Sequence, residues 1–396
     1  MRIGMILDIE FPPDPRVENE AIELIKGGHE VFLFCLKYGN EPSNEAINGI
    51  QVCRYKTNKI DYKFSALAYT VPYYTYVMRR KITHFLETYT IEAIHIHDMR
   101  IAEAVFKANK KLNLPTTLDM HDNTPEVMQF YPHLNKFPGK YIISPKKWKQ
   151  KEEEFLNTTT NFVATSPEYL EEVVERTQIS RKKIHLVPNT VRESFYKDAV
   201  IDNSIIERYK DNFVLLYLGD TGLRRGLPIT IDTVNLLKDK IPNIKLVIVG
   251  KSSTDYILKQ QVLGLNLEDF IDFEGWQNVD LFPSYIVAST IGISPLTKNF
   301  MHELAYANKI FQYMSFSIPI VVSNCKAQQR IVEINNSGLV FEAGNIDDFA
   351  DKILELYNDK DLQKELGENG KHFIEEEFNW SITSKELIKL YDNLEN

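Results

Sequence analysis

Strand-like and helix-like segments alternate along this chain in two consecutive series, and this limits its folds more than any other feature. RIGMILDI reads as an apolar strand, VENEAIELIK as a helix of period 3.6 ended by Gly27 and Gly28, and VFLFCL as a second strand. IEAIHIHD, IAEAVFKANKKLN and PTTLDMHD repeat the pattern, and NFVATS and KIHLVPN close the first series. NFVLLYLGD, LPITIDTVNLLKDK and IKLVIVGK open a second, which FIDFEG, TIGISPL and IPIVVSN continue. Strands alternating with helices imply right-handed crossovers and parallel sheets. The expected class is therefore α/β, with two doubly wound domains. A length of 396 residues agrees, giving roughly 200 residues per domain. The polar stretch from Arg192 to Asp211 carries no strong strand and is the expected linker. The boundaries are set at 1–195 for the first domain and 196–379 for the second.

Composition excludes several classes. Hydrophobic residues at 43% and charged residues at 26% describe a soluble globular chain. A net charge of −9 argues against a nucleic-acid partner, which would need a basic surface. Cys35, Cys53 and Cys325 lie far apart in or beside apolar segments, so buried reduced thiols are expected. Met1 and Arg2 lead straight into a strand, so no signal peptide is expected and a cytoplasmic location follows. The most apolar run, Phe64 to Met78, is shorter than the roughly 20 residues that span a bilayer, and Pro72 interrupts it. It reads as a buried or groove-lining helix, with contact to a membrane surface as the alternative.

Five segments carry residues suited to chemistry. NKIFQYMSFSIPIVVSN, from Asn308 to Asn324, places a polar helix start before a buried strand; Asn308 can cap that helix and Lys309 adds a cation. GDTGLRRG, from Gly219 to Gly226, follows the first strand of the second series and opens the next helix. Arg224 and Arg225 stand there against the helix macrodipole, so a compensating anion is expected. In DIEFPPDPRVENEA, Asp14 and Pro15 suit the N-cap and first position of a helix, which would leave Arg16 solvated. AIHIHD puts His95 and His97 on one strand face with Asp98 at its end, and LDMHDNTPE puts His121 and Asp122 at the end of the next. A third or fourth ligand at useful spacing is not evident, so no metal is expected.

Taken in order, DPRV at Asp14–Val17, GGHEV, HDxxPE, LVPN, RRG, FxGW, NKIFQYM and the FNW tail resemble glycosyltransferase family 4, in a DPR/NKxFEYM-type subgroup. The resemblance implies a GT-B fold, in which two Rossmann-like domains face an interdomain cleft. It also implies that the terminal helix, 380–396, crosses back to the first domain. The second domain would bind a UDP- or GDP-sugar donor, and the first a glycan or lipid-linked acceptor. The reaction implied is retaining sugar transfer in surface polysaccharide or glycolipid synthesis, with no metal or other cofactor.

Residue by residue, the resemblance assigns Arg225 and Lys309 to the departing diphosphate and His121 to the reaction centre. Gly219, Arg224, Gly226, Asn308, Gln312, Glu303 and Arg16 fall to donor binding, with Arg16 at a phosphate or the acceptor. Asp122 and Glu126 fall to the acceptor. Gln312 stands where the family has a Glu that accepts ribose hydroxyls; Leu304 stands at its earlier Glu, with Glu303 one residue before. A neutral amide gives weaker bonds than a carboxylate, by about 1 kcal/mol. A second implication is therefore a catalytically weak or inactive relative that binds nucleotide-sugar or partners another transferase. The Tyr-rich run Phe64–Met78 with its basic flank adds peripheral contact with the inner face of a membrane as an expectation.

Overall fold

The computed structural model describes residues 1–120, 124–128, 134 and 142–395. It divides into two compact units, residues 1–188 with 384–396, and residues 189–383. In the first unit, the strands are β1 (Arg2–Ile6), β2 (Glu30–Lys37), β3 (Asn44–Ile47), β4 (Ile50–Lys56), β5 (Ala93–His97), β6 (Thr116–Asp119), β7 (Asn161–Ala164) and β8 (Ile184–Leu186). Among the described residues they form one sheet in the order β3-β4-β2-β1-β5-β6-β7-β8. Every pairing is parallel except β3 with β4. That hairpin is absent from the sequence reading. Its turn is Asn48-Gly49, with φ of 51° and 85°, the dipeptide that two-residue hairpins favour.

The second unit holds β9 (Phe213–Leu218), β10 (Ile244–Val249), β11 (Ile271–Gly275), β12 (Ile291–Ser294), β13 (Ile320–Ser323) and β14 (Gly338–Phe341), in the order β11-β10-β9-β12-β13-β14. Its pairings are all parallel. The two-residue period of a strand explains how β9 is buried throughout: Phe213, Leu215 and Tyr217 join the core on one face, and Val214, Leu216 and Leu218 join that on the other. The stretch 192–211, expected as a linker, instead carries short helices at Glu193–Lys197 and Asn203–Tyr209. Ile205 and Tyr209 are buried in this unit's core, which is why the segment folds with it.

The terminal helix Lys385–Glu395 belongs to the first unit and buries Leu387, Leu390 and Tyr391 there. All three cysteines are buried and free. Among the described residues, no helix is long and apolar enough to cross a membrane. In each sheet the first strand has neighbours on both sides from opposite directions of winding: β1 lies between β2 and β5, and β9 between β10 and β12. Such switch points leave a crevice at the carboxyl ends of the strands, where open α/β sheets bind ligands.

Candidate functional site

At the switch point of the second unit, β9 ends in Gly219, with φ of 113°, and Asp220. The tight turn Leu223–Arg225 follows, then Gly226 and the helix Leu227–Leu237. Gly226 has φ of 82°, and a Cβ there would lie 1.6 Å from the carbonyl oxygen of Pro295. Only glycine lets the turn approach the end of β12 so closely. The amide and hydroxyl of Thr297 both donate to the Arg224 carbonyl, at 3.1 and 2.7 Å, and pin the turn from the other side. The two arginines are thus set beside the crevice by backbone geometry.

The helix Asn308–Met314 brings the third cation. Its Tyr313 hydroxyl donates to the Leu216 carbonyl at 3.0 Å and accepts from the Leu218 amide at 2.9 Å, locking the helix beneath β9. Lys309, one turn earlier, is buried with its ammonium 3.6 Å from the centroid of the Tyr217 ring. Burial and then Arg225 push that ammonium well below the ordinary lysine range, with Asp220 opposing. Asp220 is shared between Arg225 at 3.2 Å and Arg224 at 3.4 Å.

His302 and Glu303 complete this cluster, and His302 was not singled out from sequence. Asn299 caps the helix Phe300–Leu304 by accepting from the His302 amide. Burial lowers the His302 imidazole to about 4, assisted by Arg225, Arg224 and Lys309, while the Thr297 carbonyl opposes. The imidazole is therefore neutral at pH 7. Its Nε2 and both Glu303 carboxylate oxygens are buried without a hydrogen-bond partner among the described residues; Lys298 lies 3.7 Å from Glu303. Unmet buried polar groups beside an excess of cations suit a ligand that carries both negative charge and hydroxyl groups. Gln312 is half-buried one turn beyond Lys309, on the same side of its helix.

The structure thus brings together Gly219, Arg224, Arg225, Gly226 and Lys309, with Glu303 next to His302. Asn308 is the first residue of its helix, exposed, and Ala307 is the cap; the expected capping role fails by one position. Leu296 is core, whereas Trp276, just past β11, is 74% exposed. His121 and Asp122 lie outside the described residues. Glu126 sits in the short helix Thr124–Val127 of the first unit, with Lys149 at 4.0 Å.

Arg16 requires a correction. Asp14 and Pro15 do start the helix Pro15–Lys26 as their types require, and the Asp14 carboxylate accepts from the Val17 amide. Arg16, however, is neither solvated nor open to a phosphate. It is buried, donates to both Asp119 oxygens at 2.9 Å, pairs with Glu20 at 2.8 Å and reaches the Val187 carbonyl at 3.3 Å. His95 joins this group, with Nε2 3.3 Å from Glu20 and Nδ1 2.8 Å from the Tyr391 hydroxyl of the terminal helix. Ligand atoms of Glu20, His95, His97 and Asp119 lie within 4.8 Å of one another. The spacing argument missed Glu20 and Asp119 as partners of the histidines, because they come from distant segments. Burial would lower the His95 imidazole, but Tyr391, Asp119 and Glu20 raise it well above its ordinary range, so Arg16 and protonated His95 together balance the two carboxylates.

Comparison with known proteins agrees with this picture. The profile for Glycosyltransferase Family 4 matches residues 16–195, and that for Glycosyl transferases group 1 matches residues 201–373. The capsular polysaccharide biosynthesis glycosyltransferase CapM of Staphylococcus aureus is 26% identical over 213 residues, 50% of this chain and 52% of that protein. The chain thus spans about half the length of CapM. MJ1178, an uncharacterized glycosyltransferase of Methanocaldococcus jannaschii, is 23% identical over 96% of this chain and 93% of its own length. Among solved structures, Anabaena HepE in complex with UDP-glucose superposes with a TM-score of 0.75, at 14% identity, over 99% of this chain and 100% of that one. The two profiles together span most of the chain, which belongs to the family 4 glycosyltransferases and has the GT-B fold.

Proposed function

We propose that this protein transfers a sugar, with retention of configuration, from a UDP- or GDP-sugar to a glycan or lipid-linked acceptor in surface polysaccharide or glycolipid synthesis. The observation that carries the donor half is the basic set at the second unit's switch point: Arg224 and Arg225 share the Asp220 carboxylate, and Lys309 is buried beside Arg225. The CapM relative acts in capsular polysaccharide biosynthesis and the HepE structure holds UDP-glucose, which supports the substrate class.

In this reading the glycosidic C–O bond of the donor breaks and its electron pair passes to the nucleoside diphosphate. The acceptor hydroxyl forms the new bond on the same face, and its proton goes to a diphosphate oxygen. Arg225 and Lys309 meet negative charge where it grows, which stabilises the transition state more than the ground state. These fixed cations do the work a divalent metal does elsewhere, and no metal is proposed. Glu303 and His302 Nε2 would take the sugar hydroxyls, and Gln312 the ribose. His121 is proposed at the reaction centre, and Asp122 and Glu126 at the acceptor.

A weak or inactive binder is the second reading, motivated by the neutral Gln312. Release of UDP or GDP from a panel of nucleotide-sugars separates the two. Slow hydrolysis of one donor that disappears in Arg225→Ala supports a transferase. Silence with every donor, relieved in Gln312→Glu, supports the binder.

A further inference from the structure

The sequence from Lys56 to His84 carries six lysines and arginines against one carboxylate, Asp61, in a chain whose net charge is −9. In the fold that single carboxylate is buried. It accepts from the Thr57 hydroxyl at 3.0 Å and the Tyr73 hydroxyl at 3.0 Å, and Lys81 lies 3.7 Å away. What reaches solvent is therefore basic: Lys56, Lys59, Lys63, Arg79 and Arg80 are all exposed.

The same surface exposes large apolar side chains. Ile60 and Tyr62 on the helix Lys59–Ser65 are 60% and 61% exposed, and Tyr76 on the helix Tyr73–Thr88 is 59% exposed. On the longer helix Tyr73, Tyr76, Val77, Arg80 and His84 recur at three- and four-residue steps, so they share one stripe. The stripe borders a groove of about 430 Å³ lined by Tyr55, Tyr76, Val77, Arg80, Lys81 and His84. The parts are held as one surface: Phe64 and Tyr73 have ring centroids 4.8 Å apart, the Lys81 ammonium donates to the Lys56 carbonyl at 2.8 Å, and Arg80 lies 5.9 Å over the Tyr76 ring.

From this juxtaposition we infer that the Lys59–Ser65 and Tyr73–Thr88 helices dock the first unit on the surface of a bilayer that contains anionic lipid. Tyrosines place a ring in the headgroup layer and keep the hydroxyl hydrated, and interleaved Lys and Arg meet lipid phosphates. Each basic residue near an anionic surface strengthens binding about fivefold, and salt screens the effect. A two-fold pairing of copies would set this basic patch against itself, which favours an anionic bilayer over a second copy of the chain. The inference goes beyond the donor reading and does not depend on it.

Co-sedimentation of the full chain, without nucleotide, with vesicles of phosphatidylcholine alone or mixed with phosphatidylglycerol tests the inference. Binding to the mixed vesicles that weakens with salt is expected. Arg79→Glu with Arg80→Glu should lower it at least tenfold, and Tyr62→Ser with Tyr76→Ser should lower it in its own right. Lys364→Glu with Lys371→Glu, an equal charge change on the second unit, should leave it intact. Apart from the half-buried Lys371 the substituted groups are exposed, and an unchanged thermal midpoint confirms that the variants fold. Absence of binding to mixed vesicles, equal binding to neutral ones, or loss in the Lys364/Lys371 control as large as in the patch variants overturns the inference. So does self-association that the tyrosine variant abolishes without any vesicle binding.

Discussion

The two units each gather charged residues near the switch point of a parallel sheet, and the two clusters are opposite in balance. In the first, Arg16 is enclosed by Glu20 and Asp119, and His95 bridges to the Tyr391 hydroxyl. In the second, Arg224 and Arg225 share Asp220, and burial together with the neighbouring cations depresses both Lys309 and His302. A cluster that neutralises itself can hold a fold together, because each buried charge has its partner. One left with excess positive charge stabilises the chain less than it would stabilise an arriving anion. The contrast distinguishes a structural network from the proposed donor site without reference to any relative.

The largest expected effect breaks the comparison from both sides. Arg225→Ala should reduce donor turnover by about 10²- to 10³-fold, the usual loss when one donor to a developing charge is removed, with the midpoint of denaturation unchanged or higher. Arg16→Ala should do the reverse and cost about 3–5 kcal/mol of stability, because two buried carboxylates lose a cation. Urea denaturation together with nucleotide release for both variants checks the pair. If Arg16→Ala proves stable but inactive, the assignment of the clusters is inverted.

Gly226→Ala comes next. Its Cβ would meet the Pro295 oxygen at 1.6 Å in a backbone region that side chains rarely adopt. A loss of about 3 kcal/mol is expected, with nucleotide affinity falling as the arginine turn shifts. Thermal denaturation with and without UDP measures both effects.

The histidines sharpen the contrast through pH. His302 is lowered from 6.5 to about 4, so its contribution is intact above pH 6.5 and drains away as pH falls towards 4, by up to about 3 kcal/mol. For His95, burial alone would lower the imidazole, but Tyr391, Asp119 and Glu20 raise it well above 6.5. Its contribution is present below pH 6.5 and is lost as pH rises through that raised value. Denaturation curves over pH for His302→Gln and His95→Gln should flatten the acid limb in the first and the alkaline limb in the second.

Much of this was legible in the sequence, for identifiable reasons. Apart from β3, β4 and β14, the strands of both sheets announce themselves as apolar runs, and Gly226 and the arginine pair are adjacent in the chain. Arg16 was misplaced because a charged residue near a helix start is ordinarily solvated. Its position on the same stripe as Val17, Glu20, Ala21 and Leu24 was the available sign of burial. The convergence of Glu20, His95 and Asp119 spans a hundred residues, and no local pattern records it. His302 was missed because its neighbours Arg224 and Arg225 are distant in the chain and reach it only through the turn closed at Gly226.

The smallest expected effect concerns Gln312. Restoring a carboxylate in Gln312→Glu should tighten nucleotide binding by about 1 kcal/mol, or five- to tenfold, without altering stability. A titration of nucleotide into both proteins by calorimetry reads the difference.

The same calorimetry on wild type and Arg225→Ala, with UDP and GDP, tests the central claim most directly. Saturable binding of one nucleotide, weakening as pH rises because the diphosphate favours the charged form of Lys309 and lost in Arg225→Ala, is the predicted result. Binding that survives Arg225→Ala, or heats indistinguishable from dilution for both nucleotides, would contradict the claim that this cluster awaits a diphosphate.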